Sequence, residues 1–153
     1  MLQDHSILAS RHERFVKTIC DTGIVYALEN EDGLATSSSN EIEDERGEPV
    51  DIICFWSERA LADASRESDW SEYEIVEIGL SEFIEDWCVG MSNDGLIIGS
   101  NFDANMFGLE VNPFDLMLQV IGQLKEAKKT LTFEKYKSLS DLEQQLRDAM
   151  EED

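Results

Sequence analysis

The stretch Tyr73-Glu-Ile-Val-Glu-Ile-Gly-Leu-Ser-Glu-Phe-Ile-Glu-Asp-Trp87 combines a strand pattern with the start of a helix. Apolar and acidic side chains are mixed over residues 73–78 in a pattern that is typical of a half-buried strand. Ser81 can then cap a short helix. The residues that we expect on the inner face of this helix are Phe83, Ile84 and Trp87.

A strand and a helix follow one another in the same order earlier in the chain. Pro49 precedes a β-branched and aromatic run over residues 50–56, which predicts a strand. Ser57 is a suitable cap for a helix after it. On that helix we expect a buried face of Ala60, Leu61 and Ala64, with Glu58, Asp63 and Glu67 toward water.

The remaining elements up to Leu124 each carry a local signal. Residues 29–48 are polar, acidic and rich in Ser, which predicts a loop or a hairpin with a mobile tip. The others are a helix over 10–21 with the capping box Ser10-Arg-His-Glu13, a strand from Ile24 to Leu28, an antiparallel hairpin of 96–100 with 106–111, and a helix that starts at Asn112-Pro113.

The composition changes after Leu124, where five lysines fall within thirteen positions. We therefore predict an acidic α+β domain of residues 1–124 and a C-terminal helical segment of residues 125–153. Ser140-Asp-Leu-Glu143 offers a capping box for a final helix. That helix either packs back on its own domain, with the lysines toward the acidic body, or faces a partner. Its apolar edge consists of Leu139, Leu142, Leu146 and Met150.

Together these elements predict the fold class. Strands and helices are interspersed, and the hairpin requires at least one antiparallel strand pair. We expect one α+β domain with a mixed or mostly antiparallel sheet of about five strands, flanking helices and a C-terminal helical extension.

The charge of the chain is strongly one-sided. Its net charge is −22, and residues 29–124 contain twenty-three Asp and Glu against three Arg. From Glu67 to Leu124 there is no Lys or Arg at all. Such a field repels nucleic acid and anionic lipid and attracts basic surfaces, so we expect a basic protein partner, no nucleic acid and no membrane.

Enzyme chemistry finds little support in the sequence. The only histidines, His5 and His12, lie before the first predicted strand, and we interpret His12 as a surface residue of a helix. No phosphate-binding glycine motif and no calcium-loop spacing occurs. We therefore expect no catalytic residues, no metal and no cofactor.

Localisation is predicted from the cysteines and from the N-terminal residues. Cys20, Cys54 and Cys88 are odd in number and lack a Cys-x-x-Cys spacing, which favours reduced thiols. Residues 1–10 have no signal-peptide pattern, and no apolar run is long enough to span a membrane. We expect a soluble cytoplasmic protein.

One group of residues is a candidate binding site. The second predicted helix and the turn after it can present several carboxylates together with Trp70, and an aromatic ring among carboxylates is suited to anchoring a Lys or Arg. The alternative for Trp70 is a structural role in the core. The candidate partner-binding residues are Glu58, Asp63, Glu67, Asp69, Trp70 and Glu72.

The chain also resembles a known family over roughly residues 10 to 122. The residues that carry the resemblance are Glu13-Arg-Phe-Val16, Ile24-Val-Tyr-Ala-Leu28, Phe55-Trp-Ser57, Trp70, Ile78 to Trp87 and Asp94-Gly-Leu-Ile-Ile-Gly99. In them the chain is similar to the bacterial domain-of-unknown-function 2750 family. The resemblance implies a small α+β domain of the bacterial cytoplasm and carries no activity across.

Three functions are compatible with these observations. The first is a non-enzymatic domain that occludes a basic partner, most concretely an immunity protein or inhibitor of a nucleic-acid-directed toxin. The second is an enzyme or small-ligand domain that uses carboxylates, either alone or, as a metal-dependent enzyme, with a divalent cation. The third is a housekeeping domain that forms a homodimer through the apolar edge of the last helix.

Overall fold

The computed structural model describes residues 5–66, 70–103 and 108–151 of the chain, with side chains described outside positions 5, 40, 41, 150 and 151. Five helices lie in these residues. They are α1 (His5–Thr22), α2 (Arg59–Ser65), α3 (80–94), α4 (Pro113–Glu126) and α5 (Leu139–Glu151).

Within the described ranges, seven strands form two sheets. β1 (Ile24–Asn30), β2 (Gly33–Leu34) and β5 (Glu74–Gly79) form an antiparallel sheet in the order β2-β1-β5. β3 (Thr36–Glu43), β4 (Pro49–Phe55), β6 (Ile97–Ser100) and β7 (Leu109–Val111) form the other, in the order β3-β4-β6-β7, and only its β4–β6 pair is parallel. The prediction of an α+β fold with mixed strands is confirmed. The polar segment 29–48, predicted to be a loop or a hairpin, contains the strands β2 and β3.

The two sheets are tied together by backbone hydrogen bonds. Tyr26 of β1 and Trp56, which follows β4, exchange both of their backbone hydrogen bonds at 2.8 Å. Ala35, between β2 and β3, donates its N–H to the carbonyl of Leu28 and accepts from the N–H of Cys54. Strand pairing therefore continues from one sheet into the other.

Two apolar clusters lie on opposite sides of this framework. The larger cluster joins α1, α3, α4 and α5 to the sheets through fully buried residues such as Phe15, Phe55 and Phe83. The smaller one contains Trp56 and Trp70. In β5, Ile78 belongs to the first cluster and Ile75 packs against the second. The strand predicted to be half-buried thus has apolar contacts on both faces.

Helix α3 is irregular in its middle. It consists of an α-helical turn Leu80–Glu82, a π-helical segment Phe83–Cys88 and a final α-helical part Val89–Asp94. Gly95 ends it with a left-handed backbone at φ 73°. Phe83 and Ile84 are buried as predicted, and Trp87 packs partly buried against the same cluster.

Two predictions about the first two helices are wrong. α1 already includes His5, so Ser10 lies inside the helix and does not cap it. On α2 the buried residues are Ala62 and Ser65, whereas Ala60, Leu61 and Ala64 are exposed. The reason is that Ser57 does not act as the cap. It is buried and hydrogen-bonded to Asn101, and the helix begins two residues later with its other face inward.

The last two helices begin with side-chain caps. Asn112 accepts a hydrogen bond from the Phe114 N–H at 2.8 Å, which confirms the predicted start of α4. At α5 the capping box is shifted by two residues, because Ser138 accepts from the Asp141 N–H at 3.1 Å. Asp141 in turn accepts from the Lys137 N–H, and this hydrogen bond lowers the pKa of its carboxyl group. The box predicted at Ser140 is therefore wrong in register.

Helix α5 packs on its own chain. Leu139, Leu142 and Leu146 are buried in the larger cluster, so these three residues are not a free edge for a second copy. Lys135 pairs with Asp86 of α3 at 2.7 Å, and Lys129 lies 3.6 Å from Asp21 of α1. Over the residues that the structure describes, no helix is both long and apolar enough to cross a membrane.

Candidate functional site

The four described members of the predicted partner-binding set do not form one surface. Glu67 and Asp69 lie outside the described residues. Trp70 is only 4% exposed and packs edge-on between Trp56 and Tyr73, with ring centroids 5.8 and 6.5 Å away. The structure therefore places its ring in the core, where it does not reach a partner.

Two of the described carboxylates near α2 form ion pairs with arginines. Glu58 lies 2.9 Å from the guanidinium of Arg14 on α1. Asp63 forms an ion pair at 3.3 Å with Arg66, one turn along its own helix. Of the described members of the predicted set, only Glu72 belongs to a surface on which carboxylates are concentrated.

That surface is a depression of about 300 Å³ beside the open end of the β1–β5 pair. Glu29 lies at the end of β1, Glu31 in the turn to β2, and Glu74 at the start of β5. Asn30 shapes the turn, because its side-chain oxygen accepts from the Asp32 N–H at 2.9 Å. We call this surface the acidic depression; its residues are Glu29, Asn30, Glu31, Glu72 and Glu74.

The acidic depression carries electrostatic strain. Glu29 and Glu74 are direct partners across the antiparallel pair, an arrangement in which like charges destabilise a sheet. In the ion pairs of the described residues, none of its four Glu side chains has a cationic partner. A cation brought here from another molecule would relieve this repulsion.

A second concave region surrounds His12, between α1 and α4. It has a volume of about 420 Å³ and is lined by polar side chains of both helices. The His12 Nδ1 atom lies 2.8 Å from the Ser100 hydroxyl and its Nε2 atom lies 2.6 Å from the Gln119 side-chain oxygen. Since that oxygen only accepts, Nε2 carries the proton and the Ser100 hydroxyl donates to Nδ1.

This arrangement brings a hydroxyl and an imidazole together, but the serine is not accessible. Ser100 is 0% exposed, and an amide stands where a catalytic triad has a carboxylate. The network instead ties α1 to β6 and α4. Our interpretation of His12 as a surface residue is wrong, because its side chain is only 6% exposed. Its spacing to Phe15, Val16 and Ile19 could have placed it on the apolar face.

Burial of His12 makes stability depend on pH. Desolvation lowers the pKa of His12, outweighing the opposing effects of Gln119 and Glu13. Below about pH 6.5 the unfolded chain therefore binds more protons than the folded chain. The contribution of neutral His12 to the free energy of unfolding is complete above that pH and is lost as the pH falls. Each pKa unit of difference corresponds to about 1.4 kcal/mol.

We expect the stability difference between the natural chain and His12→Gln to shrink, or change sign toward the variant, as the pH falls from about 7.5 to 5. Urea unfolding at each pH measures this difference. Carboxylates titrate alike in both chains, so they cancel. A difference that is constant with pH would contradict the lowered pKa.

The ends of the two parallel strands meet at Asn101. Its backbone is left-handed with φ 48°, and its side-chain oxygen accepts from the Ser57 N–H at 2.9 Å. Arg11 lies beside it and is 3.6 Å from Asp103. A cleft of about 250 Å³ opens here. Asn101 is buried and hydrogen-bonded to Ser57, so it supports the loop rather than offering a free polar group.

The three cysteine thiols are buried. Burial raises the pKa of Cys20 to about 11 and raises those of Cys54 and Cys88 further, so these buried thiols are poor nucleophiles. No three His, Cys, Asp or Glu side chains among the described residues are grouped so that they could hold a metal ion.

Comparison with known proteins gives one match. A family model described as "Protein of unknown function (DUF2750)" matches residues 12–120, which is more than two thirds of the chain. The matched part runs from α1 into α4 and includes the acidic depression. Neither the curated proteins nor the solved structures gave a match.

Proposed function

The chain belongs to the DUF2750 family, and from this premise we propose that it is a non-enzymatic protein-binding domain whose acidic depression covers a basic surface of a partner. The observation that supports the proposal is the lack of cationic partners for the Glu side chains of the depression in the described ion pairs. Two of the carboxylates near α2, by contrast, are paired internally.

The charge of the whole chain favours the same partner. A net charge of −22 accelerates association with a basic surface, and screening by salt weakens that attraction. An inhibitor that presents carboxylates to a site built for phosphates is the most concrete form of this proposal, and an immunity protein for a nucleic-acid-directed toxin is an example. The three free buried thiols are compatible with action in the cytoplasm.

The proposal is tested with an oligolysine peptide as the probe. A variant in which Glu29, Glu31, Glu72 and Glu74 are all replaced by Gln should bind it about tenfold more weakly, since four exposed charges contribute about 0.3–0.5 kcal/mol each. Fluorescence anisotropy at low salt measures both dissociation constants.

A matched control removes the same number of charges elsewhere. Glu43, Glu45, Glu48 and Glu134 are exposed and lie outside the acidic depression. Their replacement by Gln should weaken binding by less than about threefold. Equal losses in the two variants would show that only total charge matters. Failure of the natural chain to bind the peptide would overturn the proposed function.

A further inference from the structure

The geometry points to a specific way in which the partner binds: a basic segment in extended conformation pairs with the free edge of β5 as an additional strand. The inference rests on the proposed function and adds the binding site and the conformation of the partner. Among the strands that the structure describes, β5 is the outer one of its sheet, with β1 as its only neighbour. Its Glu74 end also borders the acidic depression.

The direction of the β5 backbone groups follows from the pairing of β1. Tyr26 uses its N–H and C=O with Trp56, and Leu28 uses its C=O with Ala35. The backbone N–H and C=O groups of Tyr26 and Leu28 therefore point away from β5. In an antiparallel pair, the backbone groups of the residues directly opposite them also point away from the shared ladder.

The residues opposite Tyr26 and Leu28 are Glu77 and Ile75. Their N–H and C=O groups consequently point to the outer edge of β5. No other backbone hydrogen bond in the described residues uses them. This edge can accept a strand without any change in the existing ladder.

Exposure and charge select the occupant. Glu74, Glu77 and Gly79 of β5 are exposed, and Glu72 is exposed just before the strand. Natural sheets protect their edges with charge, usually with Lys, which repels a second copy of the same edge. Here the charges are all negative, so a Lys- or Arg-bearing strand is complementary and a second copy of β5 is not.

Strand addition would also let the chain select among cationic partners, which the acidic depression alone would not do. Carboxylates attract any cation, whereas an edge of backbone groups requires an extended chain with free N–H and C=O groups. Alternate side chains of such a segment would lie near Glu74 on one face of the sheet and near Glu77 on the other. Affinity thus comes from the backbone and selectivity from the two Glu side chains.

The experiment uses the full chain and the peptide Lys-Lys-Val-Lys-Lys-Val-Lys, which carries Lys on both faces when it is extended. Glu77→Pro removes an outward N–H and leaves the ladder with β1 intact, because proline is tolerated on an edge strand when its position faces solvent. We expect it to weaken peptide binding by about tenfold through the loss of one hydrogen bond and one charge. Glu77→Gln keeps the N–H and should weaken binding by less than about threefold.

Hydrogen exchange of the natural chain is the second measurement, and it does not depend on folding of the proline variant. Addition of the peptide should slow exchange of the Ile75 and Glu77 amides. If the peptide binds but these amides stay unprotected, or if Glu77→Pro folds and binds as well as Glu77→Gln, strand addition is wrong and the proposed function stands. If no basic peptide binds the natural chain, both proposals are wrong.

Discussion

Replacement of Trp70 by Ala should lower the free energy of unfolding by about 3–5 kcal/mol, the range for deleting a large buried aromatic side chain. Trp70 is 4% exposed and packs edge-on against Trp56 and Tyr73, so the variant leaves a cavity in the smaller apolar cluster. Urea unfolding followed by far-ultraviolet circular dichroism measures the loss.

The same variant separates the two roles predicted for this ring. If Trp70 anchored a cation, its loss would weaken binding of oligolysine and leave stability nearly unchanged. A core residue gives the opposite result: a less stable chain whose folded fraction binds as before. Trp70→Phe keeps part of the packing and should lose less stability than Trp70→Ala. A stability loss below about 1 kcal/mol in Trp70→Ala would contradict the core assignment.

Replacement of Leu142 by Ala should lower the free energy of unfolding by about 2–5 kcal/mol. Leu142 is fully buried between α5 and the rest of the larger cluster. The matched control is Leu61→Ala, the same substitution at a side chain that is 37% exposed, which should cost far less. Chemical denaturation of both variants gives the comparison.

Protein concentration distinguishes this packing from a dimer interface. If α5 stabilised the chain by pairing with a second copy, the melting temperature would rise with protein concentration. We expect no change over about a hundredfold range of concentration. A concentration-dependent melting temperature that Leu142→Ala abolishes would show that the helix pairs between chains.

Much of the fold is encoded in local signals. The runs 24–28 and 50–56 are β-branched and apolar enough to predict strands, and Asn112 caps α4 because a side-chain acceptor stands directly before a proline. Some local signals do not predict the helix cap. Ser57 and Ser140 are both good caps in isolation. Ser57 is instead buried and hydrogen-bonded to Asn101, and Ser138 is the cap in place of Ser140.

The candidate site depends on long-range pairing that no local signal contains. Glu29 and Glu74 become neighbours only through the register of β1 with β5. The burial of Trp70 likewise depends on Trp56, which is distant in sequence and directly follows β4. The overall negative charge could be predicted from composition, whereas the location of its unpaired part could not, because the pairing of Glu58 with Arg14 depends on how α1 packs beside α2.

The order of the strands has a consequence for how the chain folds. Between the parallel partners β4 and β6 the chain leaves the four-stranded sheet, adds β5 to the other sheet, forms α3 and returns. Neither sheet is made from a continuous piece of chain, and backbone hydrogen bonds join the two sheets, so we expect them to form together. High contact order of this kind slows folding, because loop closure precedes the contacts that reward it. The two sheets should therefore appear together in one kinetic phase, with no sheet-sized intermediate.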